Sequence, residues 1–173
     1  IYNQGQPAFF TLSNVTIFNN STSNGGGGLR GTATVRNSII AGNTDSSNQG
    51  RDCFGSITAQ GFNLIQNTTG CTITGTTTGN VTGQVAGLGS LQGNGSPTET
   101  HLPLAGSRAI DAGNTTTPGS GGTACELKDQ RGVLRPIDGD ATGGARCDIG
   151  AVEAGGSASF TDLVVVMDDR PDP

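Results

Sequence analysis

TLSNVTIFNN (residues 11–20) and TVRNSIIAGN (residues 34–43) are two versions of one phrase, set 23 residues apart. Thr11 matches Thr34, Leu12 matches Val35, Asn14 matches Asn37, Ile17 matches Ile40 and Asn20 matches Asn43. A looser third version, AQGFNLIQN (residues 59–67), sets Leu64 on Ile40 and Asn67 on Asn43. A repeat of about 23–24 residues with short β-branched stretches is what one turn of a stacked-strand solenoid needs. Leucine-rich repeats share that period, but their regular leucine positions are missing here. The predicted fold is therefore all-β, a parallel β-helix whose strands bond to the next coil about 4.8 Å away. In that arrangement Leu12 and Val35 stack inside, as do Ile17, Ile40 and Leu64. Asparagine tolerates the left-handed backbone of tight corners, and stacked amides bond along the axis. The series Asn14/Asn37 and Asn20/Asn43/Asn67 are accordingly read as corner ladders, which explains them without a ligand.

Composition agrees with a narrow core. Of 173 residues, 30 are Gly and none is Trp, and only 32% are hydrophobic, too few for a broad globular interior. Charged residues make up 13%, so the polarity resides in hydroxyls and amides rather than in a charged, disordered tail. Asp45 and Asp52 are the only acids in residues 1–98, and the other twelve of the 14 come later. With a net charge of −5 and no basic cluster, nucleic acid is excluded as a partner. No apolar run reaches the roughly 18–20 residues of a spanning helix, so no transmembrane segment is expected. The absence of an initiating Met and of a signal peptide reads as processing, or as a piece of something longer.

Four cysteines allow three pairings. The local one, Cys53 with Cys71 and Cys125 with Cys147, brackets about one structural unit in each case. Zinc spacing is missing, so disulfides are the simpler reading, and they imply an oxidising, extracellular setting.

Three later phrases occur in order: AIDAGN (residues 109–114), DQRGVLRP (residues 129–136) and CDIGAVE (residues 147–153). They resemble the closing segment of the bacterial surface proteins called choice-of-anchor Q proteins, and the resemblance covers most of the chain to Gly155. It implies a right-handed helix that ends in a C-terminal cap, here disulfide-linked. Ile1-Tyr2-Asn3-Gln4-Gly5 resembles the segment that comes after a glycine run in that family, which implies that residue 1 falls within a coil. Bare strand edges and open core side chains are then expected at that end, covered by upstream coils or by another copy joined head to tail. In the cap, Arg131 and Arg135 are expected to fork onto Asp129, Asp148 or Glu153 and pin loops over the last coil. Asp111 opens a tight turn with a side-chain-to-backbone bond.

The expected organisation is residues 1–104 as coils, 105–155 as cap, and 156–173 as a linker or donor strand. TDLVVVMDDRPDP (residues 161–173) resembles the first strand of a bacterial immunoglobulin-like surface repeat. Leu163, Val164, Val165, Val166 and Met167 are therefore candidates for an extended assembly strand completing a neighbour.

Candidate chemistry is sparse. Asp138, Asp140 and Thr142, with Gly143 next, occupy positions 1, 3, 5 and 6 of a calcium-loop pattern, but position 12 is Ile149 rather than a bidentate Glu. A surface turn is the simpler reading, and no cofactor is expected. Polysaccharide lyases and hydrolases share the β-helix and need paired carboxylates; the coils offer only Asp45 and Asp52, beside Arg51. The single histidine, His101, has no nucleophile elbow near it. No catalytic residue is assigned. The chain is expected to be a non-catalytic extracellular module: stalk, adhesin or filament subunit. The alternatives are a polysaccharide-degrading fragment or a glycan- or ice-binding face, and a single Thr-rich pass (residues 72–82) gives no array for ice.

Overall fold

The computed structural model describes residues 1–2 and 10–157. Among them there is no helix, and short strands succeed one another in passes. The first pass holds β1 (Thr11–Ser13), β2 (Thr16–Phe18) and β3 (Ser21–Thr22); the second holds β4 (Leu29–Arg36), β5 (Ile39–Ala41) and β6 (Thr44–Asp45). The third holds β7 (Cys53–Gln60) and β8 (Leu64–Ile65), and the fourth β9 (Cys71–Thr76) and β10 (Val81–Thr82). Strands of equal rank pair in parallel, giving three open sheets ordered β1-β4-β7-β9, β10-β8-β5-β2 and β3-β6. Strands of two or three residues hold only because the next pass satisfies their amides and carbonyls.

The first two passes keep the 23-residue offset, with Leu12 on Val35 and Ile17 on Ile40. The third departs from the sequence alignment: Leu64 lies on Ile39, and Ile65 takes the place on Ile40. The corner between β7 and β8 carries one residue more than the corner between β4 and β5, with Phe62 at φ 54°. Since side chains alternate along a strand, a one-residue slip turns Leu64 from the inner to the outer face. The turn from the third pass to the fourth is short, with 16 residues between Ile57 and Ile73, which lie on each other as do Thr58 and Thr74.

The inner core joins Leu12, Leu29, Val35 and Ile57 of the first sheet to Ile17, Ile40 and Ile65 of the second. A second core lies on the outer face of the second sheet, where Ile39, Ala41 and Leu64 meet Ala86, Ala109 and Ile149. Burying one such large aliphatic side chain is worth about 1.5–3 kcal/mol. The second sheet is thus buried on both faces, and the cover on its outer face comes from residues 84–155.

This changes the place of the predicted cap. It runs along the flank of the passes and reaches back to the first of them, instead of closing the last coil. Asn14 Nδ2 donates to Gly150 O (3.3 Å), Asn14 Oδ1 accepts from the Glu126 amide (2.9 Å), and Thr16 Oγ1 accepts from the Ala151 amide (3.0 Å). Asn37 does the same one pass on, donating to Thr123 O (2.9 Å) and accepting from the Asn114 amide (3.2 Å). The Asn14/Asn37 pair is therefore a tie to the flank and not a ladder, although both residues hold the left-handed φ expected of corners, 49° and 46°. The passes stop at Thr82, and residues 84–104, predicted as coil, contain only isolated antiparallel bridges, Leu88 with Pro103 and Gln92 with Thr100.

The first and last passes differ in cover. Leu12 and Ile17, predicted to stack inside, are 4% and 6% exposed, in a core against which Phe10 and Val15 also pack. The fourth pass is the barer one: Ile73 is only half-buried and Thr72, Thr74 and Thr76 are exposed. The candidate strand Leu163–Met167 lies outside the described residues.

Candidate functional site

The corners explain where most polar side chains of the passes go. At the corner before the second sheet, a side chain of each later pass accepts the amide of the earlier one: Val15 N–H to Ser38 Oγ (3.1 Å), Ser38 N–H to Asn63 Oδ1 (3.2 Å), Asn63 N–H to Asn80 Oδ1 (2.9 Å). At the next corner the Asn20 amide N–H bonds to Asn43 Oδ1 (2.9 Å), and Asp52 then accepts from Asn43 and from the Asn67 amide. Asp52 thus completes the Asn20/Asn43/Asn67 column.

The two carboxylates weighed for catalysis are both backbone clamps. Asp45 accepts from the amides of Gly25, Ser47, Gln49 and Gly50 and from Ser47 Oγ, which folds the loop after β6 against the glycine bend at residues 25–28. Burial pushes its carboxyl upward, but the hydrogen bonds from Ser47, Gly50 and Gly25 outweigh this and hold it well below the ordinary range. Burial raises Asp52, opposed by its bonds from Asn43 and Asn67. Arg51 and Asp52 line a cavity of about 330 Å³ with Asn43 and Asn67, and Asp45 is not part of its wall. His101 bonds through Nδ1 to Gly89 O (2.8 Å) and stands edge-on to Phe18, and both line a cavity of about 540 Å³.

The outer face of the first sheet carries an arrangement that the 23-residue period does not reveal. Thr11, Thr34, Thr58 and Thr74 fall in one column, and Thr32, Ser56 and Thr72 in another two residues along. Thr32, Ser56, Thr58, Thr72 and Thr74 are exposed or half-exposed. The spacing is about 4.8 Å across strands and about 6.6 Å along them. The triplets Thr32-Ala33-Thr34, Ser56-Ile57-Thr58 and Thr72-Ile73-Thr74 were the available signal, hidden because the last offset is 16 residues and not 23.

In the flank, Arg131 pairs with Asp129 (2.8 Å) and Arg135 with Glu153, and all four side chains are inaccessible or nearly so. Arg131 also donates to Gly156 O and Glu153 O, and Arg135 to Asp148 O and Gly150 O. Asp148, grouped with them by sequence, meets no guanidinium of the described residues through its carboxylate; it accepts from the amides of Asp111 (2.7 Å) and Ala154 (2.6 Å). Asp111, at φ 51°, accepts from the amides of Gly139, Asp140 and Arg146, which brings two distant loops together. Asp138 and Asp140 stand beside it, with carboxylate oxygens of the three acids within 4.8 Å of one another. Thr142, the third residue of the calcium-loop pattern, spends its hydroxyl and amide on Asp140 Oδ1. The disulfides Cys53–Cys71 and Cys125–Cys147 span Cα separations of 5.5 and 6.5 Å, the first tying β7 to β9 and the second tying two flank loops. Two disulfides are compatible with an extracellular location. No helix among the described residues is long and apolar enough to cross a membrane.

No protein-family model, curated protein or solved structure matches the chain.

Proposed function

We propose that the chain is the closing part of a right-handed parallel β-helix from a bacterial surface protein of the choice-of-anchor Q kind, and that it serves as a non-catalytic extracellular module. The observation that carries this reading is the use made of the carboxylates within the passes. Asp45 and Asp52, the acids available to a cleft, spend their oxygens on backbone amides and on Asn43. A stalk or adhesin needs a stiff stack whose polar groups serve one another, and the corner columns supply it. Joining of copies end to end would use the barer β9 margin. The test is turnover on a panel of pectin-like and alginate-like polymers, together with sedimentation over a range of concentrations. The reading expects no turnover. Activity abolished by Asp52→Asn would overturn it, and a strictly monomeric species would remove the filament form while leaving the stalk.

A second reading has one observation in its favour. The two hydroxyl columns of the first sheet form a regular, uncharged lattice suited to ordered water or to a neutral glycan. Ice grown with the protein would show facets that Thr58→Lys removes; round crystals, together with no retention on neutral polysaccharide, would dismiss it.

A further inference from the structure

Among the described residues, Asp148 is the one wholly buried carboxylate of the flank without a cation. It is 0% exposed, as is Glu153, and Asp129 is 6% exposed. Those three acids share two guanidiniums: Arg131 is committed to Asp129, and Arg135 to Glu153. Arg135 touches Asp148 only at its carbonyl oxygen. Every other charged group close to Asp148 is either negative or turned elsewhere. Glu153 Oε1 accepts the Asp148 amide (2.7 Å), and Asp111 donates its amide to Asp148 while its own carboxylate lies next to Asp138 and Asp140. Arg146 gives its amide to Asp111, but its guanidinium reaches Gly113 O and stacks over Phe62.

An ionised carboxylate in that position has two amide donors, no counter-ion and a second carboxylate beside it. The missing counter-ion, the burial and the like charge all favour the protonated form, and the two amides only partly oppose them. Burial, reinforced by Glu153 and Asp111, pushes the Asp148 carboxyl up to about 7, in agreement with the charge count.

The position matters because the next residues of the chain grip the passes. Ile149 fills the outer core, Gly150 donates to Asn37 O (2.8 Å) and accepts from Asn14, and Ala151 donates to Thr16. Residues 147–154 are thus the strap by which the flank holds the first two passes. Its two ends are fixed by the Asp148 carboxyl, through the amides of Asp111 and Ala154.

We propose that Asp148 is a proton-operated latch, which holds the strap against the second sheet while its carboxyl is protonated and frees it on ionisation. Linkage sets the sign. The closed form binds the proton more tightly than the open form, in which Asp148 has an ordinary carboxylate affinity. Opening is therefore rarest in acid, grows up to about tenfold per pH unit above the ordinary carboxylate range, and levels off near the closed-state value of about 7.

Amide hydrogen exchange tests this on the intact chain, with rates divided by intrinsic exchange rates between pH 5 and pH 8. Protection of the Asp111 and Ala154 amides is expected to fall by up to about 100-fold from pH 5 to pH 7 and then flatten. The Val35 amide in the first sheet should hold its protection throughout. Asp148→Asn should remove the slope at Asp111 and Ala154. A flat wild-type profile, or an unchanged slope in Asp148→Asn, overturns the proposal. Should that variant fail to fold, the carbon-13 shift of the wild-type Asp148 carboxyl decides: a midpoint in the ordinary carboxylate range sinks the latch, and one near neutrality supports it.

Discussion

The stacked passes and the flank solve one problem by opposite means. Both must satisfy backbone groups without helices. In the passes, amides and carbonyls bond to the equivalent strand of the next pass, and the side chains packed between the sheets are apolar, such as Leu12, Val35, Ile40 and Ile57. In the flank the only pairings among the described residues are single bridges such as Lys128 with Leu134 and Ile137 with Arg146. There the acceptors and donors are charged side chains: Asp129 and Glu153 take amides, and Arg131 and Arg135 take carbonyls. Repetition makes order out of weak, equal contacts, whereas an irregular layer needs strong individual ones.

The contrast can be broken most sharply at Arg135. Arg135→Met leaves Glu153 buried without its cation and is expected to cost about 3–5 kcal/mol in urea unfolding. A loss below about 1 kcal/mol would mean that the flank is held by packing and not by ion pairs. Next come two variants on opposite faces of one sheet. Ile40→Ala and Leu64→Ala should each cost about 2–5 kcal/mol, because the flank covers the outer face as fully as the first sheet covers the inner. If Leu64→Ala costs only a few tenths, the outer face is wet and the flank placement fails.

Acid and base should also separate the two regions. Asp45 is held below the ordinary carboxylate range, so its contribution is present above that range and is lost as the pH falls through its depressed value. Asp148 is raised to about 7, so its contribution is complete in acid and lost as the pH climbs toward neutrality. Limited proteolysis is then expected to cut the loop at residues 46–50 first in strong acid, and the flank first above about pH 7. Cleavage in the same order at both extremes would contradict the division. The smallest effects fall on single polar groups. Asn14→Ala, which severs two ties to the flank, should cost about 1 kcal/mol. Thr58→Ala on the exposed face should stay within about 0.5 kcal/mol, both read from thermal unfolding.

The same contrast decides which parts could be read in advance. Leu12 on Val35 and Ile17 on Ile40 were legible because the first two passes have equal length, so matching side chains recur at a constant offset. One extra residue at Phe62 was enough to misplace Leu64, and the short 16-residue turn from β7 to β9 hid the hydroxyl columns altogether. In the flank, Asp129, Arg131, Arg135, Asp148 and Glu153 stood out as a group. Their partners did not, since nothing in their spacing says that Arg135 chooses Glu153 and leaves Asp148 alone.

The amino-acid sequence by itself determined the all-β character, the parallel stacking of the first passes and the left-handed corners at Asn14 and Asn37, though not at Asn20, Asn43 or Asn67. Those properties rest on local preference and on repetition, which are written in the order of residues. Only the tertiary structure decided that the closing segment covers a flank, that the second sheet is buried on both faces, and that no described cation reaches the Asp148 carboxylate. These depend on which distant surfaces meet, and the apolar outer face of Ile39 and Leu64 had to be covered by whatever chain could reach it.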